Sequence, residues 1–338
     1  MADLDTQRTI ATSGLSGVVG TGPGEGGEGP EREFTIKART QRQLIVRRFL
    51  HHRLAVASLI VLVLLFAVAL LGGKIWHYGY NQSTVDYSVR PTWWPYFNGS
   101  FHWGQIVHWK HPMGTNERGI DTFAQVLRGA QKSCLIALMV AFGSTVVGTL
   151  LGAIAGFYRG ISDTLIMRLT DLFLTFPLVA IAGAIGYKFA NRSGGWIYLA
   201  VVLALLLWMS IARVVRGVFL SLREKEFVDA ARALGASDSR IIFRHLLPNV
   251  VGPVIVNATL TVALAILTET ILSYVGLGVQ PPDASLGLLI SAGEQAAQTR
   301  PWLFYFPGLF IILIALSVNF VGDGLRDAFD PSQNRVRA

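Results

Sequence analysis

Two carboxylates stand where apolar sequence would ordinarily place none. Asp171 and Glu269 each lie inside a long hydrophobic run, where an ionised group costs several kcal/mol unless it is paired or wet. Asp171 is close to one end of its run, within reach of Arg168 or another interfacial cation. Glu269, in AILTETILSYVGLG, lies nearer the external end of its run. Two roles are open for it: lining a polar path and meeting the amino group of a passing solute, or hydrogen-bonding a neighbouring helix such as one carrying Asn319. Three histidines, His102, His108 and His111, crowd one polar segment, but no Cys, Asp or Glu lies between residues 87 and 116. His108 and His111 alone make a poor metal set, so no metal site is expected. Cys134 is the single cysteine and excludes an intrachain disulfide; a small buried hydrophobe is its expected role. The chain has no G-x-x-x-x-G-K-[ST] phosphate loop, no G-x-S-x-G elbow, no H-E-x-x-H helix and no Cys-x-x-Cys pair. Nucleotide, nucleophilic and zinc chemistry are therefore not expected of this chain itself.

The elements that position these residues are apolar. Of 338 residues, 52% are hydrophobic and only 15% charged, against roughly 25% charged in soluble domains. Six stretches reach the ~20 residues needed to cross a bilayer: 53–72, 133–157, 170–188, 196–215, 250–272 and 302–321. Asp171, Pro177 and Gly186 interrupt the third, and Arg213 closes the fourth beside Arg216, both near enough to the interface to snorkel. Pro177, Pro253 and Pro307 are expected to kink helices. The net charge of +8 would suggest nucleic acid in a soluble protein, but its placement follows membrane topology. Lys37, Arg39, Arg42, Arg47, Arg48 and Arg53 precede the first span with no acid among them, and 213–249 holds seven Lys/Arg, whereas 188–195 and 273–301 together hold three. Both termini are thus expected in the cytoplasm. Residues 1–35 are glycine-rich and read as a flexible tail, 36–52 as a basic juxtamembrane segment that suits anionic lipid, and 324–338 as a cytoplasmic tail. The external loop 73–129 contains five of the eight tryptophans, side chains suited to a membrane interface or a protein contact. Residues 158–168 read as a short cytoplasmic turn.

One polar interruption, residues 222–248, stands apart from these short connections. Phe227, Ala231 and Leu234 fall at i, i+4 and i+7 on one helical stripe. Gly235 stops that helix where a left-handed cap is cheapest. Ser237 or Asp238 can cap a second short helix carrying Ile241, Ile242 and Leu246, with Pro248 ending it. Helix, glycine corner and helix make a rigid knob standing off the membrane, suited to a partner protein; an amphipathic helix lying on lipid is the alternative.

The knob resembles the loop that defines permease subunits of ATP-binding-cassette (ABC) importers: E-A-A, three residues, G, nine residues, I-x-L-P. Here it reads Asp229-Ala230-Ala231, Gly235 and His245-Leu246-Leu247-Pro248, with Asp in place of Glu and His in place of Ile. HPMGTNERGIDTF (111–123), EFVDAARALGASDSRIIFRHLLPN (226–249), LSYVGLGVQPP (272–282) and GDGLRDAFDP (322–331) resemble the peptide-importing branch, with Asn116 where Asp is usual and Ile120 where Arg is usual. The resemblance implies an all-α membrane protein of the bacterial cytoplasmic membrane: six transmembrane helices, a five-helix permease core over 130–323 of the type I kind, and the cytoplasmic coupling loop 222–248. It further implies a second homologous permease subunit, two ABC ATPase subunits that bind ATP and Mg in place of this chain, and an external substrate-binding protein resting on the Trp-rich loop. The expected cargo is a di- or oligopeptide, with a nickel complex or other small solute as the alternative within the branch and a non-transporting scaffold as the alternative outside it. Phe227, Asp229, Ala230, Ala231, Leu234, Gly235 and Pro248 are the expected ATPase-coupling residues, and Glu269 the candidate for the translocation path.

Overall fold

The computed structural model describes residues 41–84, 86, 89, 91, 110–190 and 194–329. Described residues are helical apart from loops and two isolated bridges. The order is α1 (Gln41–His51), α2 (Arg53–Ile75), α3 (Thr122–Tyr158), α4 (Gly160–Thr175), α5 (Leu178–Ala190), α6 (Gly195–Leu222), α7 (Glu226–Ala233), α8 (Asp238–Arg240), a π-helix (Ile241–Leu246), α9 (Leu247–Tyr274), α10 (Leu286–Glu294) and α11 (Trp302–Phe329). Five helices are long and apolar enough to cross a membrane, and a bent pair makes a sixth crossing if counted as one. The expectations for Trp93, Trp94, Trp103 and Trp109 and for the tails lie outside the described residues.

Two spans differ from the sequence expectation. The third is broken rather than continuous: α4 and the following helix meet at 85°. Phe176 before Pro177 is extended (φ −90°, ψ 144°), because the proline ring disfavours helical backbone in the residue before it. The expected turn 158–168 is instead mostly the first half of α4. The second span begins at Thr122 rather than 133. Asp121 caps it, its Oδ1 accepting from the backbone N–H groups of Phe123 (2.7 Å) and Ala124 (3.3 Å). Arg128, Gln131 and Lys132 thus ride on a helix that projects past the apolar window.

In lipid, apolar burial drives helix association weakly, and close approach of backbones does more. In α3 that approach is made by Gly148, Gly152 and Gly156, four residues apart on one face. A Cβ at Gly148 would stand 2.6 Å from the Trp208 carbonyl oxygen, at Gly152 2.5 Å from that of Ala212, and at Gly156 2.6 Å from Phe219 Cβ. α3 and α6 therefore run backbone against backbone. Around this pair Ile136, Leu203, Ile266, Leu272, Leu286, Ile314 and Trp302 form the fully buried core. α2 stays peripheral, exposing Leu54, Val63, Leu64 and Ile75.

Candidate functional site

The knob is built by local chemistry first. α7 ends in a two-bond glycine cap: Gly235 N–H donates to the Arg232 carbonyl (2.9 Å) and Ala236 N–H to that of Ala231 (3.0 Å). Gly235 has φ +79°, the left-handed conformation such a cap requires. The stripe expected from spacing is divided. Ala231 turns inward with Val228 onto Ile241, Ile242 and Leu246, whereas Phe227 (42% exposed) and Leu234 (88%) face outward. The inward face is an i, i+3 pair, and that pair reaches the π-helix. Asp229 and Ala230 are exposed, and Asp229 lies 3.5 Å from Arg232 one turn on. Pro248 does not end the second arm. It stands at the start of α9 directly after the π-helix Ile241–Leu246, and Asp238–Tyr274 is continuous through it. Ser237 precedes α8 without a side-chain cap bond. The outer surface of the knob is thus a small apolar patch, Phe227, Leu234 and Phe243, set among charged residues.

The knob is rooted in the bundle. Val228, Ala231, Ile241, Ile242 and Leu246 share one cluster with Ala153 and Phe157 of α3, Ile211, Val215 and Phe219 of α6 and Val250 of α9. The Arg223 guanidinium donates to the Phe157 carbonyl, and Arg159, at the α3–α4 corner, pairs with Glu224 at 2.5 Å. That hydrogen bond holds the Glu224 carboxyl below the usual carboxylate range. Arg159 adopts φ +58° with ψ −162°, a region almost reserved for glycine that costs another residue about 1–3 kcal/mol. Arg213 and Arg216 do not merely snorkel. Arg213 pairs with Asp171 at 2.5 Å, and Arg216 holds Asp163 with two donors, Nη2 at 2.6 Å from Oδ2. Two ion pairs so fasten α4 to α6. Asp171 is neutralised as expected near an interface, but by Arg213 rather than Arg168. The signal for the Asp163–Arg216 pair was two opposite charges in segments whose helical register the sequence left undetermined.

Glu269 is fully buried. Its Oε2 accepts from Ser133 of α3 (2.8 Å) and its Oε1 from Ser273 (2.7 Å). Those two serines also accept from the backbone N–H groups of Leu286 (3.3 Å) and Val279 (3.0 Å). The carboxylate therefore ties α3, α9 and the segment leading into α10, and Asn319 is not among these partners. His111 is likewise buried, stacked on Tyr78 and lying 3.2 Å from Asp121 and 3.5 Å from Asp86. His102 and His108 lie outside the described residues, and among the described ones no group of three potential metal ligands forms. Asn116 accepts from the backbone of Arg118 and Ile120, 2.9 Å each, a task that either Asn or Asp performs. Ile120 is buried.

Comparison with known proteins accords with this architecture. The family model described as binding-protein-dependent transport system inner membrane component matches residues 148–335, and that of the N-terminal TM domain of oligopeptide transport permease C matches 40–91. The oligopeptide transport system permease protein OppC of Mycobacterium bovis is 42% identical over 298 residues, covering 88% of this chain and 97% of its own. The protein of that name from Haemophilus influenzae is 36% identical over 300 residues, covering 88% and 91%. Among solved structures, an inward-facing form of the MetNI methionine ABC transporter is similar at 19% identity and a TM-score of 0.48, over 61% of this chain and 97% of that one. With more than half its length inside the first family model and its spans arranged around the rooted knob, the chain belongs to the binding-protein-dependent transport system inner membrane components, the multi-pass permease subunits of ABC importers.

Proposed function

We propose that the chain is one of two homologous permease subunits of an importer of di- or oligopeptides, driven by two ATPase subunits that bind ATP and Mg and supplied by an external binding protein. The names of its relatives support the cargo, and the placement of positive charge supports cytoplasmic termini. The observation that carries coupling is the exposed Phe227–Leu234–Phe243 patch on a knob whose inner face is continuous with α3, α6 and α9. ATP closes the ATPase pair, the seated knob follows, and the helices rooted in it tilt, exchanging an inward-facing cavity for an outward-facing one. Nucleotide shifts that balance only by binding one state better than the other. The chain itself makes and breaks no covalent bond. Glu269, with both oxygens engaged by serines and no exposure, serves as an internal tie rather than a path residue.

Gly235→Val tests the coupling. A Cβ there meets nothing within 4 Å, so the change acts through the backbone alone, costing about 1–2 kcal/mol in a left-handed site. In the complex reconstituted with its ATPases and binding protein, the variant is expected to insert normally and hydrolyse ATP while peptide uptake per ATP falls at least fivefold. Unchanged uptake per ATP would refute the coupling role. Absence of ATP-dependent uptake by the wild-type complex would favour a scaffold.

A further inference from the structure

The outer ends of α2 and α3 enclose a cavity of about 270 Å³ lined by Ala69, Leu70, Ala124 and Leu127 on its floor and by Lys74, Arg128 and Gln131 with Trp76, Tyr78 and Tyr80 at its rim. It exists because Gly73 faces it: a Cβ there would meet nothing within 4 Å, whereas the next-door Gly72 abuts Leu127.

Charge in this corner is unbalanced toward the positive. Arg128 donates to Gln131 (2.8 Å) and Asp283 (3.3 Å) and lies over the Tyr80 ring (5.0 Å). Its Nε is buried and takes no hydrogen-bond partner among the described residues. Lys132 draws on the same Asp283, at 3.5 Å. Lys74 pairs with no carboxylate among the described residues. Arg128 and Lys132 therefore share one acid, and Lys74 has none among the described residues. The other nearby carboxylate, Asp121, is fully buried and already receives the Trp76 indole, His111 and the N-terminus of α3.

Depth selects the ligand. α2 has 23 residues, about 34 Å at 1.5 Å each, so its last turn lies at headgroup level. The cavity floor continues into the lipid-facing surface of α2, where Leu70, Leu71 and Ile75 are 40%, 54% and 80% exposed. Aromatic rims with one wet edge mark the same level. We infer that this cavity binds the phosphate headgroup of an anionic phospholipid, Lys74 and Arg128 meeting the phosphate while acyl chains run down α2. A free phosphate would gain the charge but leave the apolar floor wet.

The full-length chain, delipidated in detergent, is titrated with phosphatidylglycerol, with phosphatidylcholine of the same acyl chains, and with inorganic phosphate, and bound molecules are counted by native mass spectrometry. One phosphatidylglycerol is expected to bind at least tenfold tighter than phosphatidylcholine, undisturbed by millimolar phosphate. Gly73→Leu, which fills the cavity without touching a charge, and Lys74→Glu, which reverses one, should each weaken that binding about tenfold or more. Lys188→Glu, at another helix end, should not. Circular dichroism and thermal unfolding verify that each variant is folded, and the two different variants make the result independent of either one. Equal phosphatidylglycerol affinity in wild type, Gly73→Leu and Lys74→Glu would overturn the site, as would equal retention of phosphatidylcholine or displacement by inorganic phosphate.

Discussion

Replacing Gly152 by alanine adds one methyl group to the tightest point of the α3–α6 contact. The new Cβ would stand 2.5 Å from the Ala212 carbonyl oxygen, 2.9 Å from Val215 Cβ and 3.0 Å from Ala212 Cα. Ordinary contact begins about 3.4 Å away, and the obstacle is largely backbone, so the helices must part by about 1 Å. A gap of that size forfeits a quarter to a half of each facing dispersion contact, and overpacking of this kind costs about 1–3 kcal/mol. Alanine's better helix propensity returns up to about 1 kcal/mol, leaving a net loss of up to about 2 kcal/mol. Gly217→Ala, in α6 itself, is the control: its Cβ would meet nothing within 4 Å, so only the propensity gain remains. One chemical change at two glycines should therefore shift stability in opposite directions. With the purified chain in detergent, the thermal transition of Gly152→Ala should fall at least about 4 °C below that of Gly217→Ala. Since Ala153, Phe157, Val215 and Phe219 also root the knob, uptake per ATP should decline with it. A Gly152→Ala transition at or above that of Gly217→Ala would refute the close-contact argument.

Asp163→Asn and Arg216→Ala each break a two-donor, half-buried pair and should lower stability by about 1–2 kcal/mol, with the double variant no worse than either single one in a thermal double-mutant cycle. The half-exposed Asp171–Arg213 pair should contribute under about 1 kcal/mol and fade at high salt in the same assay. Arg159 holds Glu224 below its ordinary carboxyl value of 4.5, so that pair stabilises above this pH and its contribution is lost as pH falls through the lowered value; in acid denaturation of the purified chain, Glu224→Gln should flatten that segment of the curve. Glu269→Gln preserves the shape of the tie and should transport near the wild-type rate, whereas Glu269→Ala strands the Ser133 and Ser273 hydroxyls and should lower the thermal transition; a Gln variant inactive in uptake yet as stable as wild type would return Glu269 to the path.

The apolar crossings, the cap at Gly235 and the presence of a polar knob between two of them were legible, because each depends on local composition or on a residue with few conformational alternatives. What escaped the sequence depends on rotation of one helix against another. Ala231 was grouped with Phe227 and Leu234 since spacing defines a stripe but not which stripe meets the π-helix. Pro248 reads as a stop signal in most contexts, yet here the helix runs on through it from the π-helix Ile241–Leu246. Arg213 and Arg216 were assigned to lipid because their partners, Asp171 and Asp163, lie on a helix whose extent Pro177 obscured. The glycines at 148, 152 and 156 went unread in the sequence, although small residues four apart are a packing signal in membrane helices.

The second arm of the knob and the fifth crossing are a single rod from Asp238 to Tyr274, 37 residues long, or about 55 Å at 1.5 Å per residue. Tilted by 10° about its Asp238 end, such a rod swings its Tyr274 tip by about 10 Å at that helical rise. Its far tip is where Ser273 meets the Glu269 tie and the segment entering α10. On the proposed coupling, leverage of this kind turns a change of angle at the knob into a displacement at the far end, and it sets a tolerance: angular slack at the grip is multiplied along the shaft before it reaches the far tip.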